Sequence, residues 1–367
     1  MKNTFGTSVA VTLFGESHGA MIGAVIDGLA PGIRVDEDFI RLQLTLRRPA
    51  GKIATARQEA DPFQIVSGVF EGRTTGTPLT ILIPNGDTKS KDYSKTKDLA
   101  RPGHADFTAE MKYHGYQDYR GGGHFSGRIT AALVAAGAIA LSALKEKGIE
   151  LRSHVRVCAG VEDRSFGETE EALKADFAAL AGQNFPVLET AAKEKMEEKI
   201  LAAREECDSV GGILETAVVG LPAGVGEPWF DTLEGVLAHA LFSVPAIKGV
   251  EFGAGFAMAS MRGSEANDAL RVENGRVVSK TNNNGGVNGG ISNGMPITFR
   301  CAVKPTPSIF KAQETVDFKK NENAELSLEG RHDPCIVHRA AVVVDSVSAL
   351  ALCDLLALRF GTDYFVN

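Results

Sequence analysis

The chain has 367 residues, 44% of them hydrophobic and 23% charged, so it can bury a large core and wholesale disorder is excluded. Its formal net charge of −7 sets it apart from the basic domains that usually bind nucleic acid. Its 40 glycines show no three-residue period, which excludes collagen; they cluster instead, as at 121–123 and 285–290, where the backbone must approach something closely.

The first segment, 8–13, alternates toward Val and Leu and predicts a strand, continued by Val/Ile-rich 23–33 up to a Pro-Gly turn. Asp36 caps a helix with Glu37 and Asp38 in its first turn and Pro49 as its stop. Two strands are expected at 63–70 and 78–86, followed by a polar, Lys-rich loop over 87–103. Asp106 is read as the cap of a helix reaching about Tyr116. After the triple glycine, 127–147 reads as an Ala-rich helix, whose uncharged apolar stretch, Ile129–Leu144, is too short to span a bilayer comfortably. A strand follows from Ile149. The segment from Glu162 to Asp208 holds thirteen acidic and six basic residues and reads as an exposed helical insertion. Strands near 211–219, 247–257 and 296–304, a helix near 231–242 and a last helix from Ser346 to Phe360 complete the pattern. Strands and helices mix without strict alternation, which favours α+β with antiparallel sheets over a doubly wound fold. The whole of 1–367 reads as one unit.

The five cysteines lie far apart with no C-x-x-C, so neither a disulfide framework nor a metal site is expected. The N-terminal stretch has no apolar core of a secretory signal, and a cytoplasmic protein is expected. From Lys89 to Arg128 there are eight Lys/Arg against five Asp/Glu, with His104, His114 and His124. That excess beside glycine-rich loops suits a small anionic ligand, although from composition alone a solvated face is the more common reason for it. Neither nucleic acid nor membrane is expected as a partner.

Gly15-Glu16-Ser17-His18-Gly19 fits the nucleophile elbow of serine hydrolases. The elbow needs a helix directly after it, and several strands with an oxyanion loop before it. Only fourteen residues precede it, and the fourteen after Ser17-His18 are rich in glycine, so the hydrolase reading is rejected. The remaining candidates are His18 among small residues, His104 in RPGHAD (101–106) and Asp333 in GRHDPC (330–335). Imidazole titrates near neutrality, so acid–base work is within reach of such turns.

Ten segments occur in series: GESHG, RRP, SGVFEG, RPGHAD, YRGGG, GLPAGVGEP, IKGVEFG, NGGISNG, KPTPSI and GRHDPC. In this order the chain resembles the chorismate synthase family over almost its whole length. The resemblance implies an α+β fold with helices sandwiched between antiparallel sheets. It also implies a carbon–oxygen lyase that eliminates phosphate and a ring hydrogen, in an anti-1,4 sense, from 5-enolpyruvylshikimate 3-phosphate to give chorismate. Reduced FMN is implied as cofactor, with NADPH or an external flavin reductase as the electron source, and a homotetramer as the assembly. A non-catalytic flavin- or phosphate-binding protein of the same fold is the alternative.

Carried over by motif, His18 would hold the reduced flavin, His104 would protonate the leaving phosphate and Asp333 would assist at the flavin nitrogen that accepts hydrogen. Arg47, Arg48, Arg128 and Arg339 would bind substrate or NADP. The flavin would contact His124, Phe125, Ser126, Pro245, Ala246, Gly289, Lys304, Pro305, Thr306, Pro307, Ser308 and Arg331. The chain departs from the family at three places. His124 stands where many members have arginine, Ile129 stands where they have glutamate, and the place of the second nucleotide-contacting arginine reads Ala50-Gly51-Lys52-Ile53, so of that pair only Arg47 is carried over.

Overall fold

The computed structural model describes residues 2–49, 51–53, 60–86, 97–328 and 333–366. The chain opens with β1 (Thr4–Phe5), β2 (Ala10–Gly15) and β3 (Met21–Asp27), then α1 (Glu37–Arg47). Next come β4 (Gln64–Ser67), the short pair β5 (Val69–Phe70) and β6 (Arg73–Thr74), and β7 (Leu79–Pro84). Helices α2 (Asp106–Tyr113) and α3 (Thr130–Glu146) lead to β8 (Glu150–Cys158) and β9 (Val161–Glu162). Then follow α4 (Glu170–Leu180), α5 (Thr190–Glu205), β10 (Gly212–Val219), α6 (Leu233–Ser243), β11 (Ile247–Phe252) and the one-turn α7 (Gly263–Ala266). Two hairpins, β12 (Leu270–Glu273) with β13 (Arg276–Ser279) and β14 (Val287–Asn288) with β15 (Ile291–Ser292), precede β16 (Ile297–Val303). The last elements are the hairpin β17 (Gln313–Asp317) with β18 (Glu322–Leu326), and α8 (Val337–Phe360).

Two five-stranded sheets, ordered β1-β2-β3-β7-β4 and β11-β16-β10-β8-β9, enclose the long helices. Every strand pair in them is antiparallel. α3 packs on β3 and β7 of the first sheet, α8 packs on β8 and β10 of the second, and the two helices pack on each other. A helix covered on both sides has no solvent stripe, which is why α3 and α8 are apolar nearly all round. Both are long and apolar enough to cross a membrane, yet their apolar windows are 83% and 94% buried, so here they form the core. They meet at Gly137, where an added Cβ would lie 2.3 Å from Cβ of Ser346. Asp354 of α8 accepts hydrogen bonds from the backbone amides of Thr7, Ser8 and Val9, at 3.0, 2.6 and 2.9 Å, tying the loop before β2 to the last helix.

The α+β architecture agrees with the expectation; several boundaries differ. α8 begins at Val337, nine residues before the expected start, because the β-branched run Val342–Val344 is buried between layers that override its strand propensity. The expected 63–70 strand breaks at Gly68, whose φ of 81° turns the chain between β4 and β5. Asp106 does not cap α2: Ala105 holds that position, and the Asp106 carboxylate bonds Arg101 and His104 instead. Between 162 and 208 the chain forms α4 and α5, which bury an edge each through Leu173, Phe177, Met196 and Ile200.

Candidate active site

α1 ends at Arg47 with Arg48 as its C-cap, and both guanidinium groups turn toward a buried carboxylate, Asp61. Arg47 Nη2 donates to Asp61 Oδ2 at 2.8 Å, and Arg128, from the turn before α3, donates to Oδ1. Arg128 also donates to Asn85 Oδ1 at 3.0 Å and to the Pro84 carbonyl at 3.2 Å, so the end of β7 aims it. Arg339 in the first turn of α8 pairs with Asp333 and donates from Nε to the Arg47 carbonyl at 2.8 Å. Among the described residues, four guanidinium groups thus share two carboxylates. Burial pushes the Asp61 carboxyl upward, but Arg47 and Arg128 outweigh it and hold it below its ordinary value. Burial likewise pushes the Arg47 guanidinium below its ordinary value, against the pull of Asp61.

Two histidines flank the triple glycine. Gly121, Gly122 and Gly123 all have positive φ, and a Cβ on Gly121 would sit 2.2 Å from His18 Cε1, so only glycine passes there. A Cβ on Gly122 would come 3.2 Å from His104 Cε1. Ser17 Oγ donates to the Arg120 carbonyl at 3.1 Å and accepts from His18 Nδ1 at 3.1 Å, which fixes the ring of a largely buried histidine. His104 Nδ1 donates to Asp106 Oδ1 at 3.0 Å, while Arg101 holds both oxygens of that carboxylate at 2.7 Å. Burial would raise Asp106, but the bonds from Arg101 and His104 prevail and keep it far below the carboxylate range. With Nδ1 committed to a permanent anion, Nε2 is the atom through which His104 can exchange a proton. His124 donates from Nδ1 to the Gly15 carbonyl at 2.8 Å.

Between these groups lies a cavity of about 810 Å³, near the upper end of ordinary ligand sites. Arg47, Arg48, His104, Arg128, Asp333 and Arg339 line its charged side, and Phe5, Leu13, Leu133, Phe242 and Val343 its apolar side. His124, Phe125, Ser126, Pro245, Ala246, Lys304, Thr306, Pro307 and Ser308 also line it. Of the residues named from sequence, His18, Pro305, Gly289 and 51–53 do not line it; His18 lies behind Gly121, which does. Gly289 lies in the turn between β14 and β15, and Arg331 and Ala50 lie outside the described residues. Thr306 Oγ1 is buried without a hydrogen-bond partner, a polar atom that a bound ligand could satisfy. Lys304 donates to the Gly103 carbonyl and so joins the two loops that border the cavity. Sequence reasoning missed Asp61, Asn85 and the part played by Asp106, since each acts through a contact made only on folding. Among the described residues no cluster of His, Cys, Asp and Glu could hold a metal ion.

Clustered guanidinium groups, positioned imidazoles and apolar lining residues define an enzyme site for a small polyanion. A family model described as chorismate synthase matches residues 9–357. A chorismate synthase of Thermococcus gammatolerans is 48% identical over 96% of this chain and 97% of its own. One of Methanosarcina mazei is 46% identical over the whole chain and 98% of its own. A crystal structure of chorismate synthase superposes with a TM-score of 0.76 at 28% identity, covering 97% of this chain and 94% of that one. The chain belongs to the chorismate synthase family.

Proposed function

We propose that this cavity carries out the family's reaction, the anti-1,4 elimination of phosphate and a ring hydrogen from 5-enolpyruvylshikimate 3-phosphate, giving chorismate. The single observation that carries the reading is the surplus of guanidinium groups beside His104. The substrate bears two carboxylates and a phosphate. A ligand of that charge is matched by forked cations that can take each oxyanion in bidentate fashion. Arg47, Arg48, Arg128 and Arg339 bind it, and burial in a low-dielectric cavity strengthens that grip.

The family implies reduced FMN, and the residues present fit a flavin: an apolar wall, the orphaned Thr306 hydroxyl and a lysine at 304. When bound, reduced FMN supplies an electron-rich ring that assists a 1,4 elimination whose direct orbital coupling is poor. His104 donates its Nε2 proton to the leaving phosphate, with Asp106 holding the ring and stabilising its charged form. His18, clamped by Ser17 and Gly121, holds the flavin edge. Asp333, paired with Arg339 at the cavity wall, would accept a proton beside the bound flavin. His124, Phe125, Ser126, Pro245, Ala246, Lys304, Thr306, Pro307 and Ser308, which all line the cavity, hold the flavin.

The finer reading has the whole chain as one catalytic unit, a cytoplasmic homotetramer, its flavin reduced by NADPH or by an external reductase. Trp229 and Phe230, 85% and 94% exposed, suit burial against a second copy. The test is anaerobic: dithionite-reduced FMN, enzyme and 5-enolpyruvylshikimate 3-phosphate should release phosphate and form chorismate. No phosphate release under those conditions would overturn the reading and favour a flavin-binding protein without catalysis.

A further inference from the structure

Asp61 lies in a stretch, Glu59-Ala60-Asp61-Pro62, that carries no recognisable motif, yet three guanidinium groups converge on it. Its side chain is fully buried, and those of Arg47 and Arg128 are 7% and 4% exposed. Oδ2 faces Arg47 at 2.8 Å and Arg48 Nε at 3.5 Å, and Oδ1 takes Arg128. All three arginines line the cavity; Asp61 does not. Like charges this close repel strongly where water is excluded. Asp61 beneath them offsets that repulsion and fixes the three guanidinium groups as one fan at the cavity wall. The backbone is bent to deliver it: Asp61 has φ of 46°, in the left-handed region, directly before a proline that disfavours helical backbone at that residue. Strain of this kind persists only where the surroundings over-determine it, and it gathers at functional sites.

We propose that Asp61 is a positioning residue for the elimination, holding Arg47 and Arg128 in the array that grips the anionic groups of the substrate. The proposal rests on the reaction assigned above. Asp61 acts only through the arginines. Its loss should therefore weaken substrate binding and leave the flavin, held by other loops, nearly untouched.

The test is Asp61→Asn, which keeps the shape and removes the charge, assayed anaerobically with reduced FMN. KM for 5-enolpyruvylshikimate 3-phosphate should rise about tenfold or more, while kcat falls by less than about fivefold. FMN affinity, read by fluorescence titration, should stay within about twofold of wild type. Asp61→Glu restores the charge one methylene away and should recover part of the loss in KM. A merely structural residue would instead lower kcat, FMN affinity and melting temperature together, with no rescue by glutamate. If Asp61→Asn does not fold, Asp61→Glu carries the test with a KM raised about threefold to tenfold. Wild-type KM in either variant that should show a rise, parallel loss of FMN binding, or failure of both to fold would overturn the proposal. Absence of phosphate release by the wild type would overturn the reaction and this role together, whereas release by the wild type with unchanged KM in the variants would overturn the role alone.

Discussion

The cavity cluster around Asp61 and a second buried cluster around His154 have opposite arithmetic. At the cavity, Arg47, Arg48 and Arg128 share one carboxylate. In the second sheet, His154 on β8 lies between two, with Nε2 at 2.9 Å from Glu215 and Nδ1 at 3.3 Å from Asp163. The surplus negative charge there is met by backbone donors: Leu188 and Glu189 amides on Asp163, and the Phe166 amide on Glu215. At the cavity the described acceptors are the Asp61 carboxylate, the Asn85 side chain and the Ala60 and Pro84 carbonyls, and all three arginines line the opening. A charge cluster sealed within the fold serves stability, and one that borders an opening can also meet a ligand. Variants around His154 should change stability and spare turnover; variants at the cavity should do the reverse.

The largest expected effect is at the cavity. His104→Ala should lower turnover by about 10²–10⁴, the span of a lost general acid, with FMN binding nearly intact. Turnover within twofold of wild type across pH 6–8 would remove His104 from the chemistry. Next is His154→Ala, which strands two buried carboxylates and should cost about 3–5 kcal/mol in denaturant unfolding, with kcat per folded molecule unchanged. A variant as stable as wild type would dissolve the contrast.

The pH dependence sharpens it further. Burial lowers His154, but Asp163 and Glu215 more than offset that and raise it above its ordinary value of 6.5. A histidine shifted upward contributes stability that is complete below its unfolded value and is lost as pH rises through the higher folded one. The stability gap between wild type and His154→Gln should therefore narrow as pH climbs above about 6.5. A gap that widens toward alkaline pH would reverse the assignment. Asp163 and Glu215, both held below their ordinary values against burial by His154 and backbone amides, contribute in the opposite sense, losing stability as pH falls.

The smallest effect concerns His124, whose Nδ1 is committed to the Gly15 carbonyl. His124→Ala removes that bond and should weaken FMN binding about threefold to tenfold with kcat nearly unchanged. Unchanged FMN affinity by fluorescence titration would show that the bond does not shape the flavin site.

The features legible in the sequence were local or serial. RPGHAD set His104 in a polar turn, and the spacing of ten motifs named the arginines at 47, 48 and 128 before any contact was visible. Asp61 was illegible because its partners lie on α1 and before α3, and nothing in its own neighbourhood marks it. β12 escaped notice because all four of its residues are exposed, so no alternation of apolar and polar side chains exists to be read. The early start of α8 was hidden because burial on both sides erases the stripe that normally announces a helix.

The grip of Asp354 on the amides of Thr7, Ser8 and Val9 joins positions up to 347 residues apart. During synthesis the first sheet leaves the ribosome long before the residue that ties its leading loop exists. Its closing contact waits for nearly the whole chain, and so does the partner layer of α3, which α8 supplies. Contacts so distant in sequence slow folding, because loop entropy is lost before they form. For much of translation the nascent chain therefore carries the apolar face of α3 uncovered, which makes it a natural client for chaperones that shield exposed hydrophobic surface.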